Sequence, residues 1–161
     1  MKYTAKEIQH RLIEHIDRPD LIWLPNAHWA GGECDLLSIS FHNYLTEYEI
    51  KVSSSDWYAD KGKKKWQHKD RDTIAYFNYC IPLPLYAKIP SFVPETAGII
   101  TFDKREWGIL VEEQRPAKKN PDARKIELKE KVDILKKSWY RYRLSIVEEI
   151  QNAKLLHSSG S

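Results

Sequence analysis

The sequence predicts a mixed α/β domain, a central sheet flanked by helices and followed by a long C-terminal helix. Three observations carry the prediction. Apolar residues recur at helical spacing near the N-terminus and again over the last part of the chain. Between these stretches lie short runs rich in β-branched and aromatic residues, bounded by Gly, Pro and Asn. The resulting order of helix, strands, helix, strands, helix matches a sheet covered by helices, and no internal repeat or linker divides it.

Thr4-Ala-Lys-Glu7 reads as a capping box, and Ile8, Leu12, Ile13 and Ile16 then line one face of a first helix that Arg18-Pro19-Asp20 ends. Leu21 to Leu24 reads as a short strand, Asn26 to Gly32 as a loop with Gly31-Gly32 as its turn signal, and Cys34 to Ser40 as a second strand. His42-Asn43 turns the chain into a third strand, Tyr48 to Val52, which makes a hairpin with the second. Ser53-Ser54-Ser55-Asp56 is a helix-start signal, and the segment from Trp57 to about Lys69 is expected to be helical and basic. Tyr76 to Leu83 is an aromatic strand closed by proline, and Ala87 to Pro94 is a proline-bearing connection. Gly98 to Phe102 and Gly108 to Val111 read as two strands around Asp103-Lys104-Arg105-Glu106, and Arg115 to Ala123 as a polar loop. The last helix, from about Glu127 to Ala153, carries an apolar stripe of Leu128, Val132, Leu135, Trp139, Tyr142, Ile146 and Ile150, expected to pack on the sheet or on a second subunit.

With 161 residues, 42% hydrophobic and 30% charged, the chain has the size and balance of one soluble domain that needs no disulfide staples. Residues 1–156 are expected to form that domain and 157–161 a flexible tail. Cys34 and Cys80 lack a Cys-x-x-Cys partner and are read as small buried hydrophobes, which argues against structural zinc. No apolar leader follows Met1, and no apolar run approaches the ~20 residues of a membrane span, so a cytoplasmic location is expected. The net charge of +3 is a mild bias toward polyanions, concentrated in Lys61-Gly-Lys63-Lys64-Lys65, in Lys118-Lys119 with Arg124-Lys125, and in Lys136-Lys137 with Arg141 and Arg143.

Chemistry concentrates in the predicted hairpin. Side chains alternate along a strand, so Glu49 and Lys51 share a face while Ile50 points away. Asp35 lies on the neighbouring strand, and the hairpin can bring its carboxylate beside Glu49. Two adjacent carboxylates repel unless a cation sits between them. Asp35, Glu49 and the backbone carbonyl of Ile50 are hard oxygen donors of the kind Mg²⁺ or Mn²⁺ takes, and a water on such an ion attacks phosphodiesters more readily. Lys51 would orient that water and stabilise the growing charge. The plain alternative is a Lys51–carboxylate ion pair on an exposed sheet face.

Asp35 followed by Glu49-x-Lys51 resembles the PD-(D/E)xK nuclease superfamily over roughly residues 4–112. The run Glu49-Ile-Lys-Val-Ser-Ser-Ser-Asp56-Trp-Tyr-Ala-Asp60, then Lys64-Lys-Trp66, Tyr76-Phe-Asn-Tyr-Cys-Ile-Pro82 and Gly98-Ile-Ile100, is similar to the MmcB-type DNA-repair and related phage-encoded nuclease-like proteins. The resemblance implies a restriction-endonuclease-like α-β-β-β-α-β core, catalytic Asp35, Glu49 and Lys51, and a metal held by Asp35, Glu49 and Ile50. It implies a Mg²⁺- or Mn²⁺-dependent endonuclease of DNA, with RNA left open, working in repair, recombination or phage DNA processing. No carboxylate of the first helix is assigned to the metal, because Glu7 has its capping role and Glu14 faces away from the apolar stripe.

Around this centre, Lys64, Lys65 and His68 are placed to meet nucleic-acid phosphates, and His68 is a candidate proton donor to the leaving oxygen. Asp56 is a helix cap or a second acidic neighbour. Trp57, Tyr58 and Trp66 are candidates for base stacking, with core packing expected of at least two. The alternative function is a catalytically silent nucleic-acid-binding module of the same fold, and the last helix permits a homodimer.

Overall fold

The computed structural model describes residues 3–29, 32–59, 69–88 and 93–158. The elements are α1 (Ala5–Ile16), β1 (Ile22–Trp29), β2 (Gly32–Ile39), β3 (Leu45–Ile50), α2 (Ser54–Ala59), β4 (Ile74–Pro82), α3 (Leu83–Tyr86), β5 (Gly98–Arg105), β6 (Gly108–Arg115) and α4 (Leu128–Ser158), with a 3-10 turn at Lys69–Thr73 before β4. Among the described residues the strands form a six-stranded sheet in chain order, β1 to β6. β1–β2 and β2–β3 pair antiparallel, β3–β4 and β4–β5 parallel, and β5–β6 antiparallel again. The α/β class, the mixed sheet and the C-terminal helix are thus as expected.

α1 starts where its sequence says it should. The Glu7 N–H donates to Thr4 Oγ1 at 3.2 Å, and the Thr4 N–H donates to Glu7 Oε2 at 2.9 Å. The helix stops at Asp17, whose φ of 35° turns the backbone left-handed and whose N–H closes on the Ile13 carbonyl. Ile8 and Leu12 enter the core on one sheet face, against Leu36, Tyr48, Ile50, Cys80, Ile100 and Phe102. The opposite face, with Leu37, Leu45, Phe77, Tyr79, Ile81 and Ile99, is covered by Trp57 of α2, Leu85 of α3 and Ile134 of α4. β4 is covered on both faces, which is why it reads as a nearly continuous apolar run instead of an alternating one.

Some expected bounds change, among them those of β3, which spans Leu45–Ile50 and not Tyr48 to Val52. β1 does not stop at Leu24 but continues to Trp29, pairing Ala27 with Cys34 and Trp29 with Gly32. Pro25 and Asn26, read as loop residues, are tolerated because β1 is an edge strand, where a missing N–H costs little. Asn26 adopts φ 51°, a conformation asparagine enters more easily than most residues. Among the described side chains of α4 Ile134 is buried, with Leu135 beside it, while Leu128, Val132, Trp139 and Tyr142 of the expected stripe are exposed, and the side chains of Ile146 and Ile150 lie outside those described. Polar contacts set this rotation. Lys131 Nζ donates to Asn43 Oδ1, and Arg141 Nη1 donates to the Asn26 carbonyl and to Glu33 Oε1. The expected helix beyond Trp57 is present as Ser54–Ala59, and its continuation from residue 60 to 68 lies outside the described residues. α4 reaches Ser158, and residues 159–161 also lie outside them.

Gly98 opens β5 where no side chain fits. A Cβ there would stand 2.8 Å from the Ala117 backbone nitrogen and would overlap the Asn78 side chain. Gly98→Ala is expected to cost about 1–3 kcal/mol, read as a lower urea midpoint at unchanged slope.

Tyr48 is buried beside Trp23, with ring centroids 5.7 Å apart. Burial pushes its phenol up to about 12, against the opposing effect of its hydrogen bond with Ser38. The folded state therefore favours the neutral phenol. The stabilisation is complete below pH ~10 and is lost as pH rises toward 12, a contribution of about 3 kcal/mol. The urea midpoint should fall across this window in the wild type and fall less in Tyr48→Phe.

Candidate active site

β3 presents Glu47 and Glu49 on one face by strand alternation, and Lys51 follows at the same spacing. That face is interior. Glu47 is 1% exposed, and Glu49 and Lys51 are each 3% exposed. Buried charges survive only when compensated, since removing an ion from water costs several kcal/mol. Each carboxylate here has a cation. Arg71 Nη2 meets Glu47 Oε1 and Oε2 at 3.1 and 2.9 Å, and Lys51 Nζ lies 2.6 Å from Glu49 Oε1. The expectation of an exposed surface ion pair therefore fails on burial: the Glu49–Lys51 pair is inside the protein.

Asp35 arrives from β2. The β2–β3 ladder runs from Ile39 opposite Leu45 to Leu36 opposite Tyr48. Continued by one residue, that register sets Asp35 across from Glu49. Beyond the last pair the Asp35 side chain takes over from the backbone ladder, as Oδ2 accepts the Ile50 N–H at 2.7 Å. The next amide, that of Lys51, turns to the other side and donates to the Cys80 carbonyl at 2.9 Å. The three residues expected to form the centre thus gather at the end of β3, Asp35 half-buried and the Glu49–Lys51 pair buried.

Residues that sequence reading passed over hold this corner in place. Gln9 of α1 is buried, and its Nε2 donates to the Asp35 carbonyl at 2.7 Å and to Asn26 Oδ1 at 3.0 Å. Its position was legible, because Gln9, Leu12, Ile13 and Ile16 sit at i, i+3, i+4 and i+7 on the buried stripe. Glu47 and Arg71 anchor the turn that leads into β4, and Arg71 also lies 5.5 Å over the Phe77 ring. Glu47 could have been found from its two-residue offset to Glu49, while nothing local marks Arg71. Asp56 is the acidic neighbour of the pair, while the side-chain cap of α2 comes from Ser53. The Asp56 N–H donates to Ser53 Oγ at 3.2 Å, its Oδ2 accepts the Val52 N–H at 3.1 Å, and its Oδ1 lies 3.9 Å from Lys51 Nζ.

Of the aromatic candidates, Trp57 is buried edge-on against Tyr79 at 4.8 Å, Tyr58 is half-exposed, and Trp66 lies outside the described residues. Lys64, Lys65 and His68 lie outside them too, as does Asp60. Both cysteines are buried and outside any disulfide. Burial pushes the Cys80 thiol well above its usual value, and the nearby charges of Asp35 and Glu49 push the same way, so its thiolate form is disfavoured. Among the described residues no group of three or more His, Cys, Asp or Glu side chains is arranged to hold a metal ion. The candidate donor set is smaller than that: the carboxylates of Asp35 and Glu49 with the main chain at Ile50. Two carboxylates completed by a carbonyl and waters are the hard-oxygen environment a Mg²⁺ ion takes, so the donor chemistry fits such an ion.

No protein-family model and no curated protein matches the chain. Among solved structures it is similar to the SPO1766 protein of unknown function from Silicibacter pomeroyi, with a TM-score of 0.58 and 17% sequence identity over 91% of this chain and 90% of that one. At that identity the likeness concerns the fold: an α/β domain whose mixed six-stranded sheet is flanked by helices and followed by a C-terminal helix.

Proposed function

We propose that the chain is a nuclease that hydrolyses DNA phosphodiester bonds with the help of Mg²⁺ or Mn²⁺. One observation carries the reading: an aspartate from β2 and a buried Glu-x-Lys from β3 converge where the two strands stop pairing. The order α1-β1-β2-β3-α2-β4 with antiparallel, antiparallel and parallel pairing supports it, because it is the order the PD-(D/E)xK resemblance implies.

Asp35 and Glu49 would hold the ion, with the Ile50 carbonyl as a third donor. When bound, it would polarise the scissile phosphate and make a coordinated water more acidic. The remaining work falls to the chain. Gln9 fixes the β2 backbone at Asp35, so that carboxylate keeps its place without reorganising. Lys51 balances Glu49, and Asp56 offers its ammonium a second anionic neighbour. An ammonium held beside carboxylates can donate to a phosphate oxygen as charge develops there. The enclosing apolar face, Trp57 and Tyr79 among it, lowers the local dielectric and strengthens that donation.

The closure of Lys51 onto Glu49 also favours a second reading, a module of the same fold that binds nucleic acid without cutting it. Plasmid and single-stranded DNA incubated with Mg²⁺ or Mn²⁺ separate the two. Cleavage is expected from the wild type and is expected to stop on adding EDTA. Lys51→Ala should lose cleavage, but it also removes the cation that balances Glu49 and costs stability. Asp35→Asn is therefore decisive: its amide oxygen can still accept the Ile50 N–H, so the fold should hold while cleavage falls about a hundredfold or more. A folded Asp35→Asn protein that cuts at the wild-type rate refutes the assignment.

A further inference from the structure

α4 touches the sheet along β1 through Ile134, Leu135, Arg141 and their neighbours, and turns Lys136, Lys137, Trp139, Tyr140, Tyr142 and Arg143 outward. The outward surface is unusual. Residues 136–143 read Lys-Lys-Ser-Trp-Tyr-Arg-Tyr-Arg, and from Ile134 to Val147 there are four cations and no carboxylate. Trp139, Tyr140 and Tyr142 are 66%, 60% and 58% exposed, and Lys136, Lys137 and Arg143 are exposed with them. At about 100° per residue, Lys136, Trp139, Tyr140 and Arg143 fall on one side of the helix, so rings and cations are interleaved on a single face.

Trp139 and Tyr142 stand 5.9 Å apart, their planes inclined by 39°, and rim a groove of about 510 Å³ between α4 and β1. Trp23 and Pro25 form its other wall, and Ser138 Oγ lines it without a hydrogen-bond partner among the described residues. The groove lies close to the candidate site. Arg141 ties α4 to the Asn26 carbonyl, and Asn26 stands between Pro25 and Ala27, whose partners Leu36 and Cys34 flank Asp35. One strand spacing, roughly 5 Å, separates that point from Asp35.

We propose that this face of α4 and its groove bind a single strand of nucleic acid, with phosphates on Lys136, Lys137 and Arg143 and bases stacked on Trp139 and Tyr142. The inference rests on the nucleic-acid reading of the site and names the substrate form: an unpaired segment held one strand away from Asp35. Charge selects a polyanion over a second copy of the chain, because two such faces would meet cation to cation with no carboxylate between them. Ring exposure selects a single strand over a duplex, whose bases stack on each other and offer no free π-face. Interleaving of rings and cations selects nucleic acid over a lipid surface, which a helix meets with segregated apolar and basic faces.

The test uses the full chain in EDTA, so that cutting is silent, and a fluorescent oligothymidylate of about 20 nucleotides read by anisotropy. Binding that weakens steeply with salt is expected. Trp139→Ala should weaken it about tenfold, and Lys136→Glu with Arg143→Glu at least as much, with a shallower salt dependence. All the altered residues are exposed, and an unchanged urea midpoint verifies the fold. Trp139→Ala binding as tightly as the wild type overturns the proposal. So does a wild type that ignores the oligonucleotide but binds anionic phospholipid vesicles, or one that scatters light as a dimer which Trp139→Ala dissociates. Cleavage and binding are read in separate assays, so either reading can fail without concealing the other.

Discussion

Charge neutralisation inside the sheet is the constraint on which the rest of this structure depends. β3 and the residue that follows it carry two carboxylates and a lysine in the interior, where an uncompensated ion would cost a large share of a domain's net stability. The answer is built from ion pairs: Arg71 reaches back to Glu47, Lys51 folds onto Glu49, and Asp56 stands behind Lys51. These pairs dictate where the chain can go. The turn before β4 must return to Glu47, and α2 must start close enough to Lys51 for Asp56 to face it. A sheet built for stability alone would have apolar side chains at 47, 49 and 51, which is why a functional reading of this corner is natural.

The same corner shows how a sheet makes room for chemistry. β2 and β3 pair over only four residues and then part, and the Asp35 carboxylate occupies the hydrogen bond the ladder leaves open. Gln9, reaching from the helix on the opposite face, holds the backbone at the point of divergence. A notch between two strands is thus kept open by a carboxylate and an amide. A backbone ladder would have closed it.

Much of this was legible in the sequence because strand geometry is strict. Alternation alone put Glu49 and Lys51 on one face, and the Asn43 turn, at φ 61°, made β2 and β3 neighbours. The capping box of α1 was legible because its two hydrogen bonds are made within four residues. What depended on distant partners was not. Arg71 carries no mark of its pairing with Glu47, 24 residues earlier. Which side of α4 meets the sheet was not legible, because its apolar residues allow more than one buried stripe and its polar contacts go to Asn43, Asn26 and Glu33 far away in the chain. The extent of β1 was hidden because Pro25 and Asn26 look like loop residues unless the strand is known to lie at an edge.

The sheet's strands are laid down in the same order in space as in sequence. Each can join its predecessor as soon as it exists, so during synthesis the ordered layer can grow from one border, and the corner at Asp35, Glu49 and Lys51 is complete once β4 has emerged. α4 comes last and returns to β1, the oldest strand. The segment that bears the exposed rings is therefore added to a finished platform, and its attachment through Arg141 joins the two ends of the chain's own history.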